Sequence, residues 1–157
     1  MVTVNSPIDI AFDYIAPINL MHIFRGNAII PGIIHTSVKE GWNKAGLQRT
    51  VYFADGSTSQ ESLLTVNAPT SFSYGNEHFT YKVLSALIKR LEGEWLFTDL
   101  GNNKTRTEWA YRVIPNNRLA KIIIRLVFCK STARYAERCA GTIKRDLETG
   151  QLEAGTT

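Results

Sequence analysis

Arg49 and Gln60 draw attention first, because they fall on a strand face otherwise made of large apolar side chains. Leu47-Gln48-Arg49-Thr50-Val51-Tyr52-Phe53 alternates with period two, and Asp55-Gly56 is a hairpin signal, since both central positions of a type I′ turn need φ > 0. Closing the hairpin at Asp55-Gly56 pairs Phe53 with Thr58, Val51 with Gln60 and Arg49 with Ser62. One face then carries Leu47, Val51, Phe53, Leu64 and Val66 together with Arg49 and Gln60. The other carries Gln48, Thr50, Tyr52, Glu61 and Thr65, which puts Glu61 in solvent. A guanidinium on a core face is costly unless it is paired or wetted. A ligand carboxylate or carbonyl in a water-containing cavity would take its donors; an internal ion pair, or snorkelling to the sheet edge, would satisfy it equally.

Aromatic side chains accompany that pair. Phe53, Phe72 and Tyr74 are expected on the same inner face, as are Trp95, Phe97, Trp109 and Tyr111 from later strands. The polar tips of the tryptophans and tyrosines want partners, which favours a lined pocket over a dry core. Leu126, on the last helix, is expected to close that pocket. His78 beside Glu77 is the candidate acid/base pair, of the kind a cyclisation or dehydration needs. His22, His35 and His78 are far apart and have no ligand-like spacing, so no metal is expected. Cys129 and Cys139 lie on one helix, roughly 15 Å apart along its axis, and cannot bond to each other. The absence of a Walker loop or GxGxxG motif argues against nucleotide chemistry, and no cofactor is expected.

The elements that must position these residues follow in order. Ser6-Pro7 with Asp9 reads as a helix start, with Ser6 as N-cap and Pro7 as first helical residue, continuing through Ile8, Phe12 and Ile15 to Pro17. A short second helix spans about 18–25. Alternation begins at Ile33, and Ala68-Pro69 marks a turn before Phe72 and Tyr74. Residues 78–90 read as a helical turn or lid-like loop. Two long strands then meet at Asp99-Leu100-Gly101-Asn102-Asn103; in the second, Thr107, Trp109, Tyr111 and Val113 face inward. From Asn116 to Leu147 apolar residues step by three and four through Leu119, Ile122, Leu126, Cys129, Ala133, Ala136, Ala140, Ile143 and Leu147. That run predicts a helix roughly 48 Å long. The architecture is α+β: two short helices, six or seven antiparallel strands, and a long helix to cover the sheet.

A length of 157 residues suits one domain over 1–157, with 149–157 as a frayed tail, and 44% hydrophobic residues exclude global disorder. The net charge of +4 is unevenly spread. Residues 116–147 hold eight basic and two acidic side chains, a net +6, which leaves −2 for the rest. That pattern describes a solvated helix face, with no nucleic acid as partner. Neither a secretory signal nor a stretch of 18 apolar residues is seen, so a cytoplasmic protein without stable membrane insertion is expected. An exposed sheet edge could pair two copies as a homodimer.

Several stretches together resemble the START-like, helix-grip (SRPBCC) superfamily, in particular its bacterial polyketide cyclase/dehydrase-type members. These are Val4 to Ile15; Gly46-Leu47-Gln48-Arg49-Thr50 with Asp55-Gly56; and Ala68-Pro69 with Phe72-Ser73-Tyr74. Gly93-Glu94-Trp95 and Thr105-Arg106-Thr107-Glu108-Trp109-Ala110-Tyr111 complete the set. Lys104 stands where many members have glycine. The resemblance implies a curved sheet wrapped around a long C-terminal helix, with a cavity between them for a small hydrophobic or amphipathic ligand, lipid- or polyketide-like. It implies no shared catalytic set: a cyclase/dehydratase in the same cavity and a co-chaperone-like interaction domain are the alternatives.

Overall fold

The computed structural model describes residues 1–16, 20–27, 31–38 and 41–149, and the side chains of Leu20, His22 and residues 127–133 lie outside the described set. The predicted Pro17 helix stop and the tail after Thr149 also fall outside it. Seven strands form one antiparallel sheet: β1 (Val2–Val4), β2 (Ile33–Thr36), β3 (Gln48–Phe53), β4 (Thr58–Asn67), β5 (Ser71–Glu77), β6 (Ile88–Asp99) and β7 (Thr105–Pro115). Consecutive strands pair as hairpins from β2 to β7, and β1 closes the far edge against β7, giving the order β1-β7-β6-β5-β4-β3-β2. Four helices accompany it: α1 (Ile8–Ile15), α2 (Leu20–Ile23), α3 (Lys82–Leu87) and α4 (Arg118–Thr149). This is the expected α+β architecture, with β1 as the strand that three residues of alternation were too short to announce.

The inner face of the sheet is read from period two. Gly93, Trp95 and Phe97 on β6 are buried, and so are Thr105 and Thr107 on β7. Trp95 and Trp109 sit opposite each other in register and stack 5.4 Å apart with their planes 5° from parallel. Phe12 of α1 meets Phe97 at 5.2 Å and Phe72 at 5.9 Å, both edge-on, and so fills one end of the space under the sheet.

Three local expectations are corrected. Helix α1 begins at Ile8 with Pro7 as its cap, because Pro7 is extended (φ −57°, ψ 152°). Its carbonyl accepts the Ala11 N–H, while the Ser6 carbonyl is engaged by the Thr105 hydroxyl at 2.8 Å. Second, the hairpin turn is longer by one residue than a two-residue I′ turn. The Phe53 N–H bonds the Ser57 carbonyl, the Gly56 N–H bonds the Phe53 carbonyl, and Gly56 alone takes positive φ. The register is therefore Tyr52–Thr58, Val51–Ser59 and Arg49–Glu61. One extra turn residue reverses the parity of the whole start of β4. Glu61 points in and Gln60 points out, until the irregularity between Leu63 and Thr65 turns Val66 inward again.

Third, the buried face of α4 is not the predicted stripe. Toward its C-terminal end the buried apolar line is Tyr135, Cys139, Ile143 and Leu147, in steps of four, while nearer its start Ala120 is buried and Ile124 packs against Leu84 and Ile88. On a helix of 3.6 residues per turn a step of four advances the face by about 40°, while alternating threes and fours drift the other way by about 20° per heptad. The two lines coincide at Ile143 and Leu147 and diverge toward the N-terminus. Leu126 is consequently 71% exposed, with Leu119 and Ile122 exposed beside it.

Candidate functional site

Beyond the Phe12 end, the space between sheet and α4 opens into a cavity of about 140 Å³. Its walls come from α3 and the start of β6 (Leu84, Ile88), from β7 (Trp109, Tyr111, Val113) and from β3 (Val51, Phe53). Tyr135 of α4 forms part of another side. The polar side chains of β4 and β5 on that wall are Glu61, Asn76 and Tyr74. A much smaller cavity of about 20 Å³ lies on the other side of the same group, bordered by Arg49, Glu61, Tyr74, Trp42, Phe72 and Trp95 among others.

Arg49 and Glu61 form a buried ion pair across β3 and β4, 4% and 3% exposed. Glu61 Oε2 accepts from both Nε and Nη2 of Arg49, and its Oε1 accepts from Asn76 Nδ2 at 3.1 Å. Asn76 is oriented in turn by the Ser59 hydroxyl, which donates to its Oδ1 at 3.1 Å. The guanidinium carbon of Arg49 lies 4.2 Å from the centre of the Trp42 ring, a cation–π contact. Arg49 Nη1 is buried with no hydrogen-bond partner among the described residues. Burial pushes the Glu61 carboxyl above its ordinary range, and the bonds from Arg49 and Asn76 oppose that rise. Burial likewise lowers the Arg49 guanidinium, against the pull of Glu61.

Tyr74 reaches this group because Gly93 lies opposite it in register. A Cβ on Gly93 would come within 2.3 Å of the Tyr74 ring, so the bare glycine lets the ring lie flat across β6. The Tyr74 hydroxyl then accepts the Trp109 indole N–H at 3.2 Å. Its own proton has no acceptor among the described residues. Burial raises the phenol well above its ordinary value, helped by the nearby Glu61 charge.

The residues singled out in the sequence fall in different places, and Tyr74 borders both cavities. Phe53, Tyr74, Trp109 and Tyr111 border the main cavity, while Arg49, Phe72 and Trp95 border the small one. Phe97 belongs to the packed core against Phe12. Gln60 is on the outer face, bonded to the Thr50 hydroxyl, and Leu126 is on the solvent side of α4. His78 is exposed at φ 53°, and Glu77 is engaged by Arg90 at 2.9 Å; neither borders a cavity. Glu61, Asn76, Trp42 and Tyr135 were not anticipated. A three-residue turn ending in glycine at Gly56 is the signal that would have turned Glu61 inward.

Among the described residues no group of three or more His, Cys, Asp or Glu is arranged to hold a metal. Nor is any described helix long and apolar enough to cross a membrane.

No family model and no curated protein matches the sequence. Solved structures do match in shape. A protein of Nitrosospira multiformis is 12% identical with a TM-score of 0.66, over 96% of this chain and 94% of that one. The di-domain ARO/CYC StfQ of the steffimycin biosynthetic pathway is 15% identical with a TM-score of 0.59, over 96% of this chain and 44% of that one. Norcoclaurine synthase of Thalictrum flavum, in complex with dopamine and hydroxybenzaldehyde, is 14% identical with a TM-score of 0.57, over 99% of this chain and 86% of that one. The chain has the helix-grip fold. Sequence identities this low carry the fold and leave the chemistry to the site itself.

Proposed function

We propose that this START-like chain binds a small apolar or amphipathic molecule in the cavity between the sheet and α4. One observation carries the reading: an apolar cavity of about 140 Å³ whose one acidic wall residue among the described residues, Glu61, is itself buried and held in place by Arg49 and Asn76. Such an enclosure, largely preformed and with few convergent polar groups, is the ordinary form of a small-molecule site. Structural neighbours that are a synthase bound to two small aromatic molecules and an ARO/CYC protein support an aromatic or polyketide-like ligand.

Native mass spectrometry of the freshly purified chain, with organic extraction of any adduct, tests this directly. The neutral dye Nile red should also bind and brighten, and binding molecules should raise the melting temperature. Leu84→Trp puts a large ring into the cavity; it should abolish dye binding while the circular dichroism spectrum stays native. A wild-type chain with no adduct, no dye binding and no thermal shift would sink the reading.

A second reading, catalysis of a cyclisation or dehydration in the same cavity, has Glu61 as its acid/base instead of the Glu77–His78 pair. Glu61 borders the cavity and its carboxyl is pushed upward by burial, as acid/base groups require. Under this reading Glu61→Gln abolishes turnover of a bound substrate and His78→Ala does not.

A further inference from the structure

The cavity wall constrains which molecules fit, provided the binding reading above holds. We propose that the site selects neutral ligands that carry a hydroxyl or amine hydrogen-bond donor, and that it turns away carboxylates and other anions. Of the alternatives the sequence left open for Arg49, a ligand carboxylate or carbonyl, an internal ion pair or snorkelling, the internal ion pair is the one present.

The selectivity comes from which charge borders which space. Arg49 borders the small cavity and not the large one, and its Nε and Nη2 are already taken by Glu61. Its free Nη1 has room beside it only for about one water, since the small cavity measures about 20 Å³. The charge that a ligand in the main cavity meets is therefore the carboxylate of Glu61.

Three donors converge on that carboxylate: two from Arg49 and one from Asn76. Two carboxylate oxygens offer about four lone-pair directions, so roughly one remains for a donor brought by a ligand. Tyr74 completes the pattern. Its hydroxyl oxygen is occupied by the Trp109 N–H, and its proton has no acceptor among the described residues. Glu61 and Tyr74 border the same cavity, so a single ligand hydroxyl has an acceptor in one and a donor in the other. A ligand carboxylate has no proton for Glu61 and would lie beside its charge inside an apolar enclosure, where repulsion is weakly screened. An ether of the same shape would leave the Glu61 lone pair unmet, which also weakens binding.

Displacement of Nile red from the full chain at pH 7 by three matched molecules tests this: 2-naphthol, 2-methoxynaphthalene and 2-naphthoate. 2-Naphthol should displace the dye at concentrations at least tenfold lower than either of the others. Replacing the ion pair as a unit, Arg49→Met with Glu61→Leu, should keep dye binding and bring 2-naphthol and 2-methoxynaphthalene to within about twofold, because an apolar pair of similar volume is often tolerated where a broken pair is not. Tyr74→Phe, which leaves the ion pair intact, should reduce the 2-naphthol preference severalfold and serves if the double variant does not fold. Displacement by 2-naphthoate as strong as by 2-naphthol, with dye binding intact, would overturn this selectivity and leave the binding reading standing. A chain that takes up neither the dye nor any of the three would overturn both.

Discussion

Under the α1 end of the sheet, Phe12 wedges edge-on between Phe72 and Phe97. Under the α3 end, Leu84, Ile88, Trp109, Tyr111 and Val113 border a cavity of about 140 Å³. Both ends are floored by the same strands, and the helices that cap them differ. Helix α1 is eight residues long and buries Ala11, Phe12, Tyr14 and Ile15; helix α3 is six residues long and buries only Leu84. The difference teaches that the void comes from the covering element. The sheet supplies large inward side chains at both ends, Phe72 and Phe97 at one and Trp109 and Tyr111 at the other, and one helix is too slight to meet them.

Substitutions can break this contrast or sharpen it. Phe12→Ala should cost about 3–5 kcal/mol, because the packed end cannot collapse around the missing ring, whereas Leu84→Ala beside an existing void should fall at or below about 2 kcal/mol. Urea unfolding of the two variants compares them; equal losses would mean that the ends do not differ in packing. Gly93→Ala is expected next, at about 1–3 kcal/mol, since its methyl would meet the Tyr74 ring within 2.3 Å. The same variant should alter tryptophan fluorescence by displacing the Tyr74 hydroxyl from Trp109, and a native spectrum would refute the close approach.

Cys139 tests the packed side of α4 by pH. Burial pushes its thiol from 9.0 up to about 11, with its Sγ directed at the Ile23 carbonyl at 3.4 Å. A raised folded-state value means that its contribution is intact below pH 9.0 and is lost as pH rises toward about 11. Between those limits the wild type should lose stability faster than Cys139→Ala; parallel curves would contradict a buried thiol. The smallest effect belongs to Gln60→Ala, within about 0.5 kcal/mol and without change in dye binding, as suits an outward side chain. A large loss there would restore the inward register.

Much of this was legible in the sequence. The period-two runs of β6 and β7 identified Trp95, Phe97 and Trp109 as inward because both strands are long, so alternation, clean in β7 and less regular in β6, has room to establish a phase. The β3–β4 hairpin was harder. Its phase depends on whether two or three residues form the turn, and Asp55-Gly56 is compatible with both. Arg49 was assigned correctly to the inner face, but its partner Glu61 and the outward Gln60 were exchanged by that single residue. Leu126 was misassigned for a related reason: over 32 residues a small error in period accumulates until the stripe faces solvent. Asn76 and Tyr135 carry no periodic signature of a site, and only tertiary packing brings them to Glu61 and the cavity.

The first and last described elements are stitched together. Val2 to Val4 pair with Thr105 to Thr107, the Asn5 side chain bonds Glu148 at 2.9 Å, and Tyr14 donates to Asp146 at 2.8 Å. During synthesis on the ribosome, strand β1 therefore has no partner in the sheet until β7 is made, and the bonds of Asn5 and Tyr14 wait for the last turns of α4, although Phe12 meets Phe72 and Phe97 sooner. The packed end is completed late, and contacts this distant in sequence make for slow folding.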